Sequence, residues 1–371
     1  MCGVKGDPWR SAVTQVGVPR ESSRGERRVA LVPRVVERLT DLGLDVIIER
    51  GAGTGALIPD SAFENAGAQF GDPWQADVVV KVAPPSAEEI GRLHEGAVLI
   101  GFLSPLAHPD VVASLTEAGV TGFAMEAVPR ISRAQSMDAL SSQANVAGYR
   151  AALLAAEELA RFVPMLTTAA GTVPPAKALV LGAGVAGLQA LATLRRLGAH
   201  TTGYDVRPEV AEQVRSVGAR WLSLGIEAAG SGGYARELTE AERAEQQDLL
   251  SKSITGFDIV ITTAQVPGRR APTLVTADAV RGMRPGSVVV DLAGESGGNC
   301  ELTVPGQTVV VDGVTIAAPL NLPADMPEHA SELYARNVLS LLELLVDADG
   351  ALAPDFDDQV VAGSCATGRV G

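Results

Sequence analysis

Three cysteines, Cys2, Cys300 and Cys365, are too few and too scattered for a disulfide framework. No CxxC pair or Cys/His cluster occurs, so no metal site is expected. Both absences fit a reducing cytoplasm. Positive charge is also scarce: 30 Lys and Arg stand against 44 Asp and Glu, for a net charge of −14. Such a surface repels a phosphate backbone and argues against a nucleic-acid partner. No apolar run is suited to a membrane span. The longest, 178–194, is broken by Gly182, Gly184, Gly187 and Gln189 and is followed by Arg195 and Arg196. It reads better as a strand, a turn and a helix. Residues 1–14 have no apolar core, so they do not read as a secretory signal.

What is present is a globular balance, 46% hydrophobic and 20% charged, over 371 residues, a length that suits two domains. Short apolar strands alternate with amphipathic helices. In the first third the strands are expected at 14–18, 45–48, 76–82, 97–103 and 121–125. Helices are expected at 33–42, started by Pro33 and stopped by Gly43, and at 109–118. A single long helix is expected over 136–162, closed by Pro164. A second series of strands follows at 178–182, 200–204, 219–222, 258–262, 287–291 and 308–312, then a final helix at about 328–346. Residues 225–237 are glycine-rich with no clear period and read as a mobile loop.

Continuous apolar strands between helices argue parallel sheets covered on both faces. The expected class is α/β: two Rossmann-like doubly wound parallel-sheet domains separated by a cleft. One domain takes 1–145 plus 326–371, and the other takes 146–325.

Gly182-Ala183-Gly184-Val185-Ala186-Gly187 is a G-x-G-x-x-G between an apolar strand and a helix. In that context the first glycine serves the tight turn, the second the approach of a diphosphate, and the third the packing of helix on strand. The diphosphate would meet the free N–H groups of the helix N-terminus. Asp205 ends the next strand, 18 residues after Gly187, where a carboxylate accepts from the adenosine ribose and favours NAD over NADP. Arg207 pulls the other way, because a nearby arginine can accept a 2′-phosphate.

The segment 129–148, PRISRAQSMDALSSQANVAG, crowds Arg130, Arg133, Gln135, Asp138 and Ser141 into a polar loop entering a helix. By residue type alone, Ser136 and Asp138 fit a helix cap as readily as a site. The segment closely resembles the Arg-Gln-Asp loop in the NAD(H)-binding domain of proton-translocating transhydrogenases. Further matching stretches are VPRES and GERRVAL within 18–31, ERGAG at 49–53, TAAGTVPPAK at 168–177, GAGVAGLQA at 182–190, YDVR at 204–207, SGGYA at 231–235, ITTAQVPG at 261–268 and DLAGESGGN at 291–299.

The resemblance implies that Arg130, Gln135, Asp138 and Ser141 hold the nicotinamide and its ribose, with Gln135 facing a second nucleotide. It places Gly182, Gly184, Val185, Ala186 and Gly187 around the diphosphate, and Asp205, Val206 and Arg207 around the adenosine. It puts Gly233 and Tyr234 on a loop that closes over bound nucleotide, and adds Gln246 and Gln265 as cofactor contacts. Gln265 departs from the pattern, which usually has an aliphatic residue there. The implied activity is hydride transfer between NAD(H) on this chain and NADP(H) on a partner subunit, coupled to proton movement through membrane-spanning subunits. A homodimer, peripheral on the inner face of the cell membrane, is implied with it.

Alanine dehydrogenase, related in fold, is the rival. Arg28 and Lys81 stand where that family binds its substrate carboxylate. Its catalytic histidine has no counterpart in GFLSPL at 101–106, where the nearest histidine is His108, and Glu295 replaces its aspartate. Transfer between two nicotinamides needs no acid or base, only two carbons held roughly 3–3.5 Å apart. For Arg28 and Lys81 the expectation is internal ion pairing.

Overall fold

A computed structural model of the chain describes residues 13–226, 228, 236, 238–266 and 268–368. Among these it forms two compact units, one of 1–143 with 323–371 and one of 144–322.

In the first unit the strands are β1 (Gln15–Val18), β2 (Asp45–Ile48), β3 (Gln69–Phe70), β4 (Val78–Val80), β5 (Val98–Gly101) and β6 (Thr121–Ala124). They lie in the order β3-β2-β1-β4-β5-β6, all parallel. Successive side chains on a strand leave by opposite faces, which splits the valine and leucine runs between two cores. Val16, Val18, Val78, Val80, Val98 and Ile100 pack with the helix Pro327–Leu345, whose Tyr334, Val338, Leu341 and Leu345 are buried. Val79 and Leu99 point the other way, into Trp74, Ile90, Leu103 and Leu115. The chain therefore comes back, after its second sheet, to cover its first.

The small antiparallel ribbon β7 (Leu166–Thr168) and β8 (Gly171–Val173) stands apart from both sheets. The second sheet comprises β9 (Lys177–Leu181), β10 (His200–Tyr204), β11 (Arg220–Trp221), β12 (Ile259–Thr262), β13 (Val288–Asp291), β14 (Thr308–Val311) and β15 (Val314–Ala317). Its order is β11-β10-β9-β12-β13-β15-β14, parallel except for the edge strand β14. Val180, Ile261 and Val290 face Ala151, Ala155, Leu191 and Leu194, while Leu181, Val260 and Val289 face Leu250 and Ile254. The α/β class with two Rossmann-like parallel sheets is as expected.

Three details differ from the sequence reading. The helix expected over 136–162 is divided into a 3-10 turn, Ser132–Met137, and an α-helix, Ala139–Glu158. The break falls at Asp138, whose carboxylate caps the helix. Val314–Ala317, unforeseen, turns back from the strand at 308–311 and inserts between it and β13. The ribbon at 166–173 was also unforeseen, because its three-residue strands are too short to show a period.

Candidate functional site

In a doubly wound sheet the ligand crevice lies beyond the carboxyl ends of the strands where the strand order reverses. In the second unit that point is between β9 and β12. There the chain leaves β9 through Gly182, whose φ of +100° only glycine adopts without strain. Gly184 then caps the helix Val185–Arg196. A Cβ on Gly187 would lie 1.9 Å from the carbonyl oxygen of Gly182, so helix and turn approach as closely as a missing side chain allows. At Gly184, by contrast, a Cβ would meet nothing within 4 Å. Open room thus lies beside the first N–H groups of the helix, the donor set a diphosphate takes. Val185 is exposed here, and Ala186 and Gly187 follow on the same first turn.

Asp205 stands at the end of β10 and is almost wholly buried. Its Oδ2 accepts from the Ala183 N–H at 2.8 Å, which ties it to the glycine turn. Arg207 closes a two-pronged pair on it, Nε to Oδ1 at 2.9 Å and Nη2 to Oδ2 at 2.8 Å. That hydrogen bonding raises the Arg207 pKa further. Val206, between them, is half-buried. Gln246 turns inward from the helix Glu240–Ile254 and donates to the Tyr204 hydroxyl at 2.8 Å. Gln265 is exposed and donates to the Leu292 carbonyl at 2.9 Å. Gly233 and Tyr234 lie outside the described residues.

In the first unit, Gln135 is exposed on the 3-10 turn. The turn is anchored from two sides. Arg133 pairs with Asp358 at 2.8 Å, and the buried Asn337 donates to the Ser136 carbonyl at 2.7 Å while accepting from the Ser142 hydroxyl at 2.7 Å. Asp138 accepts from both the N–H and the hydroxyl of Ser141, at 2.9 and 2.6 Å. The pair is therefore a helix cap, with carboxylate and hydroxyl already joined. Arg130 is exposed just before this turn.

The reversal point of the first sheet, between β1 and β4, is filled differently. Lys81 is buried and bridges two carboxylates, Glu21 and Glu89, each at 3.1 Å. Burial raises the pKa of Glu21 despite the Lys81 charge and the Val82 N–H. Burial also works against the charge on Glu89, but the Ser86 N–H, Lys81 and Ser22 outweigh it and lower its pKa. Tyr334 donates its hydroxyl to the Lys81 carbonyl at 2.6 Å. Arg28 is held by Glu26 at 2.7 Å and by the Gln143 side-chain oxygen at 2.8 Å. Both cations are thus engaged within their own unit. His108 and Glu295 are exposed, each within its own unit.

Two family models cover nearly all of the chain: "Alanine dehydrogenase/PNT, N-terminal domain" matches residues 17–147 and "Alanine dehydrogenase/PNT, C-terminal domain" matches 151–370. The chain belongs to the alanine dehydrogenase/PNT family. Within it, the chain is similar to an NAD(P) transhydrogenase subunit alpha of Rhodospirillum rubrum, 47% identical over 95% of this chain and 96% of that one. The crystal structure of transhydrogenase from Sinorhizobium meliloti superposes with a TM-score of 0.86 at 46% identity, covering 95% of this chain and 97% of that one. Similarity to the alanine dehydrogenase of Bacillus subtilis is lower, 32% identical over 91% of this chain and 86% of that one.

For this member of the alanine dehydrogenase/PNT family, sequence reasoning missed the residues that hold the loops. Asp291, fully buried at the end of β13, accepts from the Asn299 and Cys300 N–H groups and from the Thr262 and Thr303 hydroxyls. Asn299 in turn donates to the Ala264 and Pro272 carbonyls at 2.8 and 2.7 Å, pinning both ends of the loop that carries Gln265. The usable signal was an aspartate directly after a run of valines, SVVVD, where a lone charge inside needs several donors. Among the described residues no group of acidic, His or Cys side chains could hold a metal ion, and no helix is long and apolar enough to cross a membrane.

Proposed function

We propose that this chain is the NAD(H)-binding subunit of a proton-translocating transhydrogenase. Bound NADH supplies a hydride to NADP⁺ carried by a partner subunit, or receives one in the reverse direction. The turn 182–187 binds the diphosphate through backbone N–H groups, and Asp205 takes the adenosine ribose. Arg130, Gln135, Asp138 and Ser141 orient the nicotinamide end, and Gln135, exposed on a doubly anchored turn, is the residue that meets the partner's nucleotide. The loop carrying Gly233 and Tyr234 folds over the cofactor and excludes water. Gln265 adds a contact from its pinned loop. For Gln246 the contact runs through the Tyr204 hydroxyl it supports. Membrane-spanning partner subunits carry the proton step and hold a homodimer of this chain at the inner face of the cell membrane.

The observation that carries this reading is the contrast between an open backbone cradle and a reversal point in the first unit whose cations are already neutralised. A dehydrogenase acting on an amino acid needs a cation for the carboxylate and an acid–base group. Arg28 and Lys81 favour that second reading by position, but Glu26, Glu21 and Glu89 already engage them.

Mixing the chain with the NADP(H)-binding component should give NADH-dependent reduction of an NADP analogue, and the chain alone should not turn over alanine with NAD. Turnover with alanine by the chain alone would overturn the proposal. Gln135→Asn should cut hydride transfer at least tenfold while changing NADH affinity by less than about threefold, as expected of a residue that aligns rather than binds. An equal loss of both would remove Gln135 from that role.

A further inference from the structure

At the end of β10, four donors converge on one carboxylate. Asp205 Oδ1 accepts from the N–H and the Nε of Arg207, both at 2.9 Å. Its Oδ2 accepts from Arg207 Nη2 and the Ala183 N–H, both at 2.8 Å. An ionised carboxylate offers about four acceptor positions, so this one is saturated before any ribose arrives. A ribose hydroxyl that donates to Asp205 must displace one of these donors. The backbone donors are fixed by the fold, and Ala183 belongs to the diphosphate turn itself. The guanidinium, on a flexible stem, is the donor that can yield.

That guanidinium is also the group a 2′-phosphate would need. An arginine beside the ribose is the usual means of accepting it, through a bidentate pair with the phosphate oxygens. Here the same fork is closed on Asp205, and both side chains are largely buried, 16% and 7% exposed. An incoming 2′-phosphate therefore meets a carboxylate and a cation already neutralised by it.

We propose that Asp205 governs nucleotide choice by sequestering Arg207 as well as by repelling phosphate, so that the pair conceals a latent subsite for an adenosine 2′-phosphate. The inference rests on the dinucleotide reading of this turn and deepens it. A chain that exchanges hydride with NADP(H) on another subunit must keep that nucleotide out of its own site, and the Asp205–Arg207 pair supplies the exclusion.

The test is binding to the full-length chain, by calorimetry with adenosine 5′-phosphate and adenosine 2′,5′-bisphosphate and by fluorescence with NADH and NADPH. Asp205→Asn retains an oxygen for the Ala183 N–H but turns an amide NH₂ toward the guanidinium and opens the fork. It should bind NADPH and the bisphosphate about tenfold or more tighter than the unaltered chain does, the scale of one charge-assisted contact, and NADH correspondingly weaker. The gain should fall with added salt and vanish in Asp205→Asn/Arg207→Gln. Asp205→Ser removes the carboxylate by a different route and should gain the bisphosphate likewise if Asp205→Asn melts early. A folded Asp205 variant that gains nothing, or a gain that survives loss of Arg207, overturns the inference and leaves the dinucleotide reading standing. If the unaltered chain binds neither NADH nor adenosine 5′-phosphate, the dinucleotide reading itself fails.

Discussion

The two sheets share one strand order over six strands, yet their reversal points hold opposite contents. In the first unit the point between β1 and β4 is packed with side-chain charge: Lys81 between Glu21 and Glu89, and Arg28 against Glu26. In the second, the point between β9 and β12 is bare backbone, kept open because Gly184 brings no side chain. Topology offers a crevice in both, and residue size and charge decide which can take a ligand. Ion pairs that close internally make a rigid wall. A glycine turn with unspent N–H groups makes a cradle.

The strongest way to break the contrast is to empty the wall. Lys81→Met would leave Glu21 and Glu89 buried without their counter-charge and should destabilise the fold by about 3–5 kcal/mol, read from urea unfolding. Adding Glu21→Gln should recover some of the loss. If Lys81→Met were neutral, the pairs would not be structural. The glycine turn should respond in two distinguishable ways. Gly187→Ala forces a Cβ against the Gly182 carbonyl and should cost about 2–3 kcal/mol as well as NADH binding. Gly184→Ala meets no atom and should leave the melting temperature unchanged, yet weaken NADH by about tenfold because the methyl fills the room of the diphosphate. Equal NADH affinity in Gly184→Ala would move the nucleotide elsewhere.

The smallest effect concerns acid. The Arg133 hydrogen bond, with help from the Val360 and Val361 N–H groups, lowers Asp358 to about 2 from an ordinary value of 3.8. Because the folded pKa lies below the unfolded one, this anchor of the Gln135 turn is intact above about pH 4 and is lost as pH falls toward 2. Hydrogen exchange of the 132–137 amides should rise across that window, and Arg133→Gln should abolish the pH dependence. Glu21 works in the opposite sense. Its pKa is raised by burial, so its contribution is complete below its ordinary value of 4.5 and fades as pH rises through its folded value.

Much of this was legible in the residues. Runs such as VVV at 78–80 and IVIT at 259–262 can only be strands buried on both faces, and Pro33, Pro109 and Pro327 start helices because a proline is tolerated in the first turn. The glycine turn was legible because its spacing reflects local sterics. What escaped were contacts made at long range. Lys81 meets Glu21 across 60 residues, and Asn337 meets Ser136 across 201, and no periodicity links such pairs. Gln246 could equally have faced outward, and only packing against Tyr204 turned it in.

Local chemistry alone thus determined the α/β class, the strands and helices, and the place of the glycine turn, since each follows from backbone sterics and hydrophobic period within a few residues. The tertiary structure alone decided which charges cancel, which loops are pinned by Asp291 and Asn299, and that Arg207 lies folded against Asp205. Those outcomes depend on which donor and acceptor the fold brings within 3 Å, and burial makes the result binding by penalising every polar group left without a partner.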